Sequence, residues 1–163
     1  MISKRLSREA GHRRKFLTIV DDTPECQRAV AYASRRAKNT SGVVVLLYVI
    51  EPDDFQHWLG VEQIMREEAA EAARSTLDSY ASKVRETLGI EPELVVREGK
   101  RTEEIHRLIE EDQDIAILVI AAGSSKEGPG PLVSSIAGKG AAFPIPVTVL
   151  PQNLSEEELD ELA

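Results

Sequence analysis

The sequence predicts an α/β fold, a three-layer sandwich in which helices cover both faces of a parallel β-sheet. Segments with strand and helix patterns alternate along the chain, and the connections between them are mostly short. Two apolar runs, 43–50 and 115–122, lack polar residues at alternate positions, which is typical of strands covered on both faces. A chain of 163 residues suits one domain of this class.

The first half of the chain contains two strand patterns and two helix patterns. A β-rich run that ends in two aspartates predicts the first strand. Thr23 followed by Pro24 is typical of a helix N-cap and first helical residue. After the second strand, apolar residues recur every three or four positions, which predicts a long amphipathic helix. The predicted bounds are 15–21 for β1, 24–38 for α1, 43–50 for β2 and 57–88 for α2.

The second half continues the alternation. Thr102, followed by Glu103 and Glu104, predicts a capped helix start with acidic residues in its first turn. Near the C-terminus, Ser155 and Glu158 have capping-box spacing, which predicts a short acidic helix. The predicted bounds are 94–98 for β3, 102–112 for α3, 115–122 for β4, 132–142 for α4 and 146–150 for β5.

Charge divides the chain into a basic arm at 1–14, a domain at 15–151 and an acidic tail at 152–163. The net charge is −8, although residues 1–15 carry six lysines or arginines against one acid. The arm could bind nucleic acid, but the acidic remainder would repel phosphates, so nucleic-acid binding is disfavoured. We expect the arm to be either a mobile, solvated tail or a segment folded back onto the acidic surface.

The chain has neither an apolar run of about 20 residues nor the pattern of a signal peptide, so we expect a cytoplasmic protein without membrane segments. Cys26 is the sole cysteine, so no internal disulfide or cysteine metal cluster can form. We interpret it as a packing residue, because the two aspartates upstream would oppose a thiolate. The three histidines do not have metal-ligand spacing.

Two common phosphate-binding motifs are missing from the sequence. The first strand is followed by Asp21-Asp22-Thr23-Pro24 and not by the glycine-rich dinucleotide fingerprint. The segment 138–140, Gly-Lys-Gly, resembles the end of a P-loop, but Val133 occupies the position of the first required glycine. A nucleotide site would therefore have to be of another kind.

Four segments resemble the universal stress proteins, small α/β domains that commonly bind ATP or AMP and commonly form dimers. Residues 19–23 resemble the strand-end V-D-G-S of that family, and residues 46–52 resemble its L-L-H-V-x-x-P. Residues 114–123 resemble its D-L-I-V-M-G strand, and residues 144–149 resemble its closing P-C-P-V-L-V. The resemblance spans about 15–150, and the order and spacing of the four segments make it specific.

The resemblance implies the strand order 3-2-1-4-5, with Asp21 and Gly123 facing each other across a crevice between β1 and β4. It places Asp21 beside adenosine and the backbone of Val49 against adenine. The family's phosphate loop reads G-x-x-G, nine residues, then G-S or G-T; here Lys126 stands at the second glycine and Ser134-Ser135 at the final pair. The candidate nucleotide-binding residues are Asp21, Val49, Gly123, Lys126, Ser134 and Ser135.

By this resemblance the protein is expected to bind ATP or AMP, with Mg²⁺ accompanying ATP, and to act in stress response with little or no catalysis. No general base is evident, so any hydrolysis should be slow. The alternative is a stress protein that keeps the fold, lacks a nucleotide and binds a protein partner, since Lys126 and the proline-rich loop depart from the family pattern. The family also implies a homodimer through the last strand, namely Val147, Thr148, Val149 and Leu150.

Overall fold

A computed structural model describes residues 2–52, 62–123, 131–138 and 143–163. Its sheet has five parallel strands in the order β3-β2-β1-β4-β5, which confirms the predicted fold class and strand order. The strands are Lys15–Ile19 (β1), Val43–Ile50 (β2), Glu93–Glu98 (β3), Ile115–Ala121 (β4) and Val147–Leu150 (β5).

The described helices are Cys26–Asn39 (α1), Glu62–Leu88 (α2), Arg101–Glu111 (α3), Pro131–Gly138 (α4) and Glu156–Leu162 (α5). The predicted start of α2 at 57–61 and the predicted end of α4 at 139–142 lie outside the described residues. Ser155 and Glu158 form the predicted capping box of α5. None of the helices in the described ranges has the length and apolarity needed to cross a bilayer.

Two predicted helix caps are wrong. Thr23 does not cap α1: the N-cap position belongs to Glu25, and Thr23 instead donates its backbone N–H and its hydroxyl to Asp21 Oδ1. Helix α3 begins at Arg101 with Lys100 as its N-cap residue, so Thr102 lies within the first turn. The backbone of Gly99, with φ of 153°, turns the chain after β3 and allows this earlier start.

The core has two parts, one on each face of the sheet, because side chains alternate between faces along a strand. Leu17, Val45 and Leu47 pack on the face covered by α3 and α4. Phe16 and Leu46 pack on the opposite face, which α1, α2 and α5 cover. Helices therefore cover both faces, as predicted.

The basic arm folds back onto the turn that connects α3 with β4. Arg5 Nη1 donates to the carbonyl oxygens of Ile109 at 2.7 Å and of Asp112 and Ile115 at 3.2 Å. His12 Nδ1 lies 2.7 Å from Asp114 Oδ1. The Arg5 contacts place positive charge at the carboxyl end of α3, where the helix dipole and unpaired carbonyl groups favour it.

Candidate functional site

The topological switch point of the sheet lies between β1 and β4. The chain runs from β1 outward to β2 and β3 on one side and from β4 to β5 on the other, and all of these strands are parallel. Asp21 follows β1 and Gly123 follows β4, so both lie at the carboxyl edge of the sheet on adjacent strands. Open α/β sheets bind ligands at this place.

Asp21 is held in one orientation by the turn that follows β1. Its Oδ1 atom accepts a hydrogen bond of 2.9 Å from the backbone N–H of Thr23 and a second one from the Thr23 hydroxyl. Both bonds use the same oxygen, so as far as the described residues show, Oδ2 stays open to a ligand. A carboxylate oriented in this way can accept hydrogen bonds from hydroxyl or amino groups.

Arg101 faces the same crevice as Asp21, and the sequence reasoning missed it. The residue lies in the first turn of α3 and lines a cavity with Asp21 and Thr23. Its Nη2 is 3.8 Å from Glu51 Oε1, and its buried Nε has no hydrogen-bond partner in the described part of the chain. The predicted strand order could have indicated Arg101, because parallel strands place the start of α3, which follows β3, at the same edge of the sheet as the end of β1.

The pKa of Tyr48, near the end of β2, is affected by the charged residues at this edge of the sheet. Burial raises the pKa of its phenol, the negative charges of Asp22 and Asp21 raise that pKa further, and Arg101 lowers it. The phenol is therefore protonated at neutral pH and can donate a hydrogen bond.

The described residues line a small, partly open cavity at the switch point. Its volume is about 30 Å³, and Leu132 and Val133 of α4 supply part of its wall. That is room for about one water molecule, whereas ligand pockets typically measure about 300–1,000 Å³. Residues 53–61 and 124–130, which follow β2 and β4 along the chain, lie outside the described residues.

Comparison with known proteins identifies the family. The sequence profile of the Universal stress protein family matches residues 12–151. The chain belongs to the universal stress protein family. A comparison with curated protein sequences found no match.

Solved structures of universal stress proteins share this fold. The protein UspA from Lactobacillus plantarum is 19% identical, with a TM-score of 0.69 over 84% of this chain and 97% of that one. The Archaeoglobus fulgidus protein in complex with dAMP is 18% identical, with a TM-score of 0.57 over 83% and 96% of the two chains. The Arabidopsis thaliana family protein with AMP bound is 18% identical, with a TM-score of 0.59 over 86% and 92%.

The remaining predicted site residues of this universal stress protein occupy different surroundings. Val49 is buried at the carboxyl end of β2, and Gly123 is buried after β4. Ser134 is exposed, while Ser135 lines a separate small pocket between α3 and α4 that also includes Phe143. Lys126 lies outside the described residues. The structure thus brings Asp21 to the end of β4, but it does not place Ser135 in the cavity with Asp21.

Cys26 is buried and lines the same cavity as Asp21. Its Sγ atom is 3.0 Å from Tyr80 Oη and contacts the carbonyl oxygen of Asp21. Burial raises the pKa of the thiol, and the charges of Asp21 and Glu25 raise it further against the opposing effect of the two hydrogen bonds. The thiol is therefore protonated at neutral pH, as expected of a buried packing residue.

Proposed function

We propose that this universal stress protein binds an adenine nucleotide, ATP or AMP, at the switch point between β1 and β4. The observation that carries the proposal is that the carboxylate of Asp21 and the guanidinium of Arg101 line one cavity there. The A. fulgidus and A. thaliana structures, which contain dAMP and AMP, support it by analogy of fold. The role would be nucleotide-responsive binding in the cytoplasm during stress, with little or no catalysis.

In this proposal the two charged residues recognise different parts of the nucleotide. Asp21 accepts hydrogen bonds from the ribose or adenine, because its carboxylate is already oriented by Thr23. Arg101 offers guanidinium donors to phosphate oxygens. The backbone of Val49 would contact adenine, and Gly123, Lys126 and Ser134 would contribute to the phosphate loop, whereas Ser135 lines the separate pocket with Phe143. Mg²⁺ would accompany ATP through its phosphates; the described residues include no group of three or more potential metal-binding side chains.

Isothermal titration with ATP, ADP and AMP tests the proposal. We expect Asp21→Asn and Arg101→Gln each to weaken binding about tenfold, since each removes a hydrogen bond to a charged group. Asp22→Asn is the matched control, because Asp22 is exposed and carries the same charge one residue away. The absence of heat with all three nucleotides at millimolar concentration would refute the proposal.

A second candidate function is that of a protein-interaction module without nucleotide. The observation that favours it is the size of the cavity, about 30 Å³, with Leu132 and Val133 in its wall. Native mass spectrometry of the purified protein separates the two functions. A bound adenine nucleotide supports the first, whereas a ligand-free protein whose partner binding is unaffected by Asp21→Asn supports the second.

We further propose that the protein is a homodimer that pairs through β5. This strand is at the edge of the sheet, and Val149 on it is 47% exposed. An apolar groove of about 290 Å³ lies beside it, lined by residues that include Ile120, Ile145 and Val147. An exposed apolar edge strand invites pairing with another chain.

A further inference from the structure

A second cavity lies on the other face of the sheet from α3 and α4. Its volume is about 210 Å³, and it is bounded by α1, α2 and the C-terminal segment that contains α5. The wall is largely aliphatic, formed by Val30, Ala31, Val84, Leu88, Leu154 and Leu159. A dry cavity of roughly 150 Å³ is enough to bind benzene, so this one has room for a slightly larger hydrocarbon body.

Three polar atoms of residues that line this cavity, Ser34 Oγ, Arg28 Nε and Arg35 Nε, are buried without a hydrogen-bond partner among the described residues. Ser34 lines the cavity and is 0% exposed, yet its Oγ has no hydrogen-bond partner among the described residues. The Nε atom of Arg28, another lining residue, is likewise buried and unpaired in the described part of the chain. Unpaired buried polar groups cost free energy, and a ligand that supplies an acceptor removes that cost.

The charge around the cavity is positive, although the whole chain carries a net charge of −8. Arg28, Arg35 and Lys83 line it, whereas Glu156 is the one acidic residue among the lining residues. Arg35 has ion-pair partners, since its Nε is 3.4 Å from Asp160 Oδ1 and its Nη2 is 3.9 Å from Glu156 Oε2, although its Nε makes no hydrogen bond within the described residues. Within the described ranges, neither Arg28 nor Lys83 forms a salt bridge.

The acidic helix α5 does not provide a carboxylate partner for Arg28 or Lys83. The side chain of Glu156 is 75% exposed, and its contact with Arg35 is at the long limit for an ion pair. Leu159, which is 2% exposed, is the residue of α5 that packs against the core. Helix α5 therefore contributes an apolar wall and gives neither Arg28 nor Lys83 a carboxylate partner; Arg28 Nη2 instead donates to the carbonyl oxygen of Ala122 at 2.6 Å.

We propose that this cavity binds a small carboxylate with a short hydrocarbon body. The hydrocarbon body packs on the aliphatic wall, and the carboxylate accepts hydrogen bonds from Ser34, Arg28 and Lys83. Residues 27, 31, 34 and 35 of α1 share one helical face, as do residues 80, 83, 84, 87 and 88 of α2. The two faces thus present donors and apolar groups to the same space, and the site is distinct from the crevice at Asp21.

Hexanoate is the probe, and its neutral counterpart hexanamide is the control. We expect hexanoate to shift the amide NMR signals of α1 and α2 around the cavity, with an affinity about tenfold higher than that of hexanamide. We expect Lys83→Gln to weaken hexanoate binding about threefold, the effect of an exposed charge. Lys38→Gln, an exposed lysine on α1 outside the cavity, should leave the affinity unchanged.

Ala31→Leu tests whether the space itself is needed, because the larger side chain fills the cavity at a half-buried position. We expect it to abolish the hexanoate shifts while circular dichroism stays unchanged. The proposal is overturned if millimolar hexanoate gives no shifts, if hexanamide binds equally well, or if Lys38→Gln weakens binding as much as Lys83→Gln. The hexanoate-induced shifts should not depend on nucleotide binding at the switch point. We therefore expect Asp21→Asn to leave them unchanged.

Discussion

Ser41 ends helix α1 in a backbone conformation that usually belongs to glycine. Its φ is 55°, in the left-handed region. The N–H of Gly42 donates to Ala37 O at 2.7 Å, and the N–H of Ser41 donates to Lys38 O at 3.3 Å. These two bonds form a Schellman motif, whose left-handed position is commonly glycine.

Ser41→Gly is therefore expected to stabilise the protein. Glycine adopts the left-handed conformation without the steric cost that a Cβ brings, so we expect the free energy of unfolding to rise by about 0.5–1 kcal/mol. Urea unfolding measures the change. Gly42→Ala is the contrasting variant, because its Cβ would lie 2.4 Å from the carbonyl oxygen of Arg14 and should destabilise the protein. Unchanged or lower stability of Ser41→Gly would contradict the interpretation.

The contact between Cys26 and Tyr80 predicts a loss of stability at alkaline pH. Burial raises the pKa of both groups, and for Tyr80 the hydrogen bond to Cys26 adds to the shift. An acid whose pKa is raised by folding stabilises the protein fully below its unfolded pKa and loses that contribution as pH rises through the folded value. The loss should therefore begin above about pH 9.

Denaturant unfolding at pH 7 and pH 10 checks this prediction. Wild type should lose stability between the two values, and Tyr80→Phe should lose less, because the variant has no phenol to ionise. Equal losses in both proteins would show that the Tyr80 phenol does not contribute to the pH dependence.

At the scale of the elements, the predictions succeeded where burial alone determines the structure. Strand β2 has the predicted bounds, since a continuous apolar run covered on both faces has few alternatives. The start of α1 was wrong: Thr23 belongs to the turn in which it donates to Asp21, and the N-cap position falls at Glu25. Arg101 was missed, because its place beside Asp21 follows from the strand order and from no local pattern.

Helix α5 allows a direct test of whether a short terminal element contributes to global stability. Leu159 is 2% exposed and packs on the α1 side of the core, whereas Leu162 on the same helix is 60% exposed. We expect Leu159→Ala to lower the free energy of unfolding by about 2 kcal/mol. Leu162→Ala should change it by less than about 0.5 kcal/mol. If urea unfolding gives equal, small effects, α5 unfolds independently of the domain.

At the scale of the whole molecule, the family resemblance was sufficient to predict the layers and the strand order. It was not sufficient to predict the phosphate site, which also depends on how α4 packs. The resemblance that implied the strand order rests on four segments in a fixed order, and each of them contains buried core residues. The position of Ser135 in a pocket with Phe143, and not with Asp21, depends on how α4 rotates against the sheet. Helix rotation is set by packing against neighbours, which a motif match does not contain.

The two edges of the sheet predict how molecules of this protein associate. Val149 on β5 is 47% exposed beside an apolar groove, and Leu94 on β3, at the opposite edge, is 36% exposed. If the dimer pairs through β5, Val149→Lys should dissociate it, because a lysine on an edge strand opposes pairing. Leu94→Lys makes the same chemical change at the other edge and should leave the dimer intact.

Light scattering combined with size-exclusion chromatography measures the mass of each protein. A wild type that is monomeric at all concentrations would exclude the dimer. Dissociation by Leu94→Lys alone would move the interface to β3, where the charged side chains of Glu93, Arg97 and Glu98 would have to be accommodated.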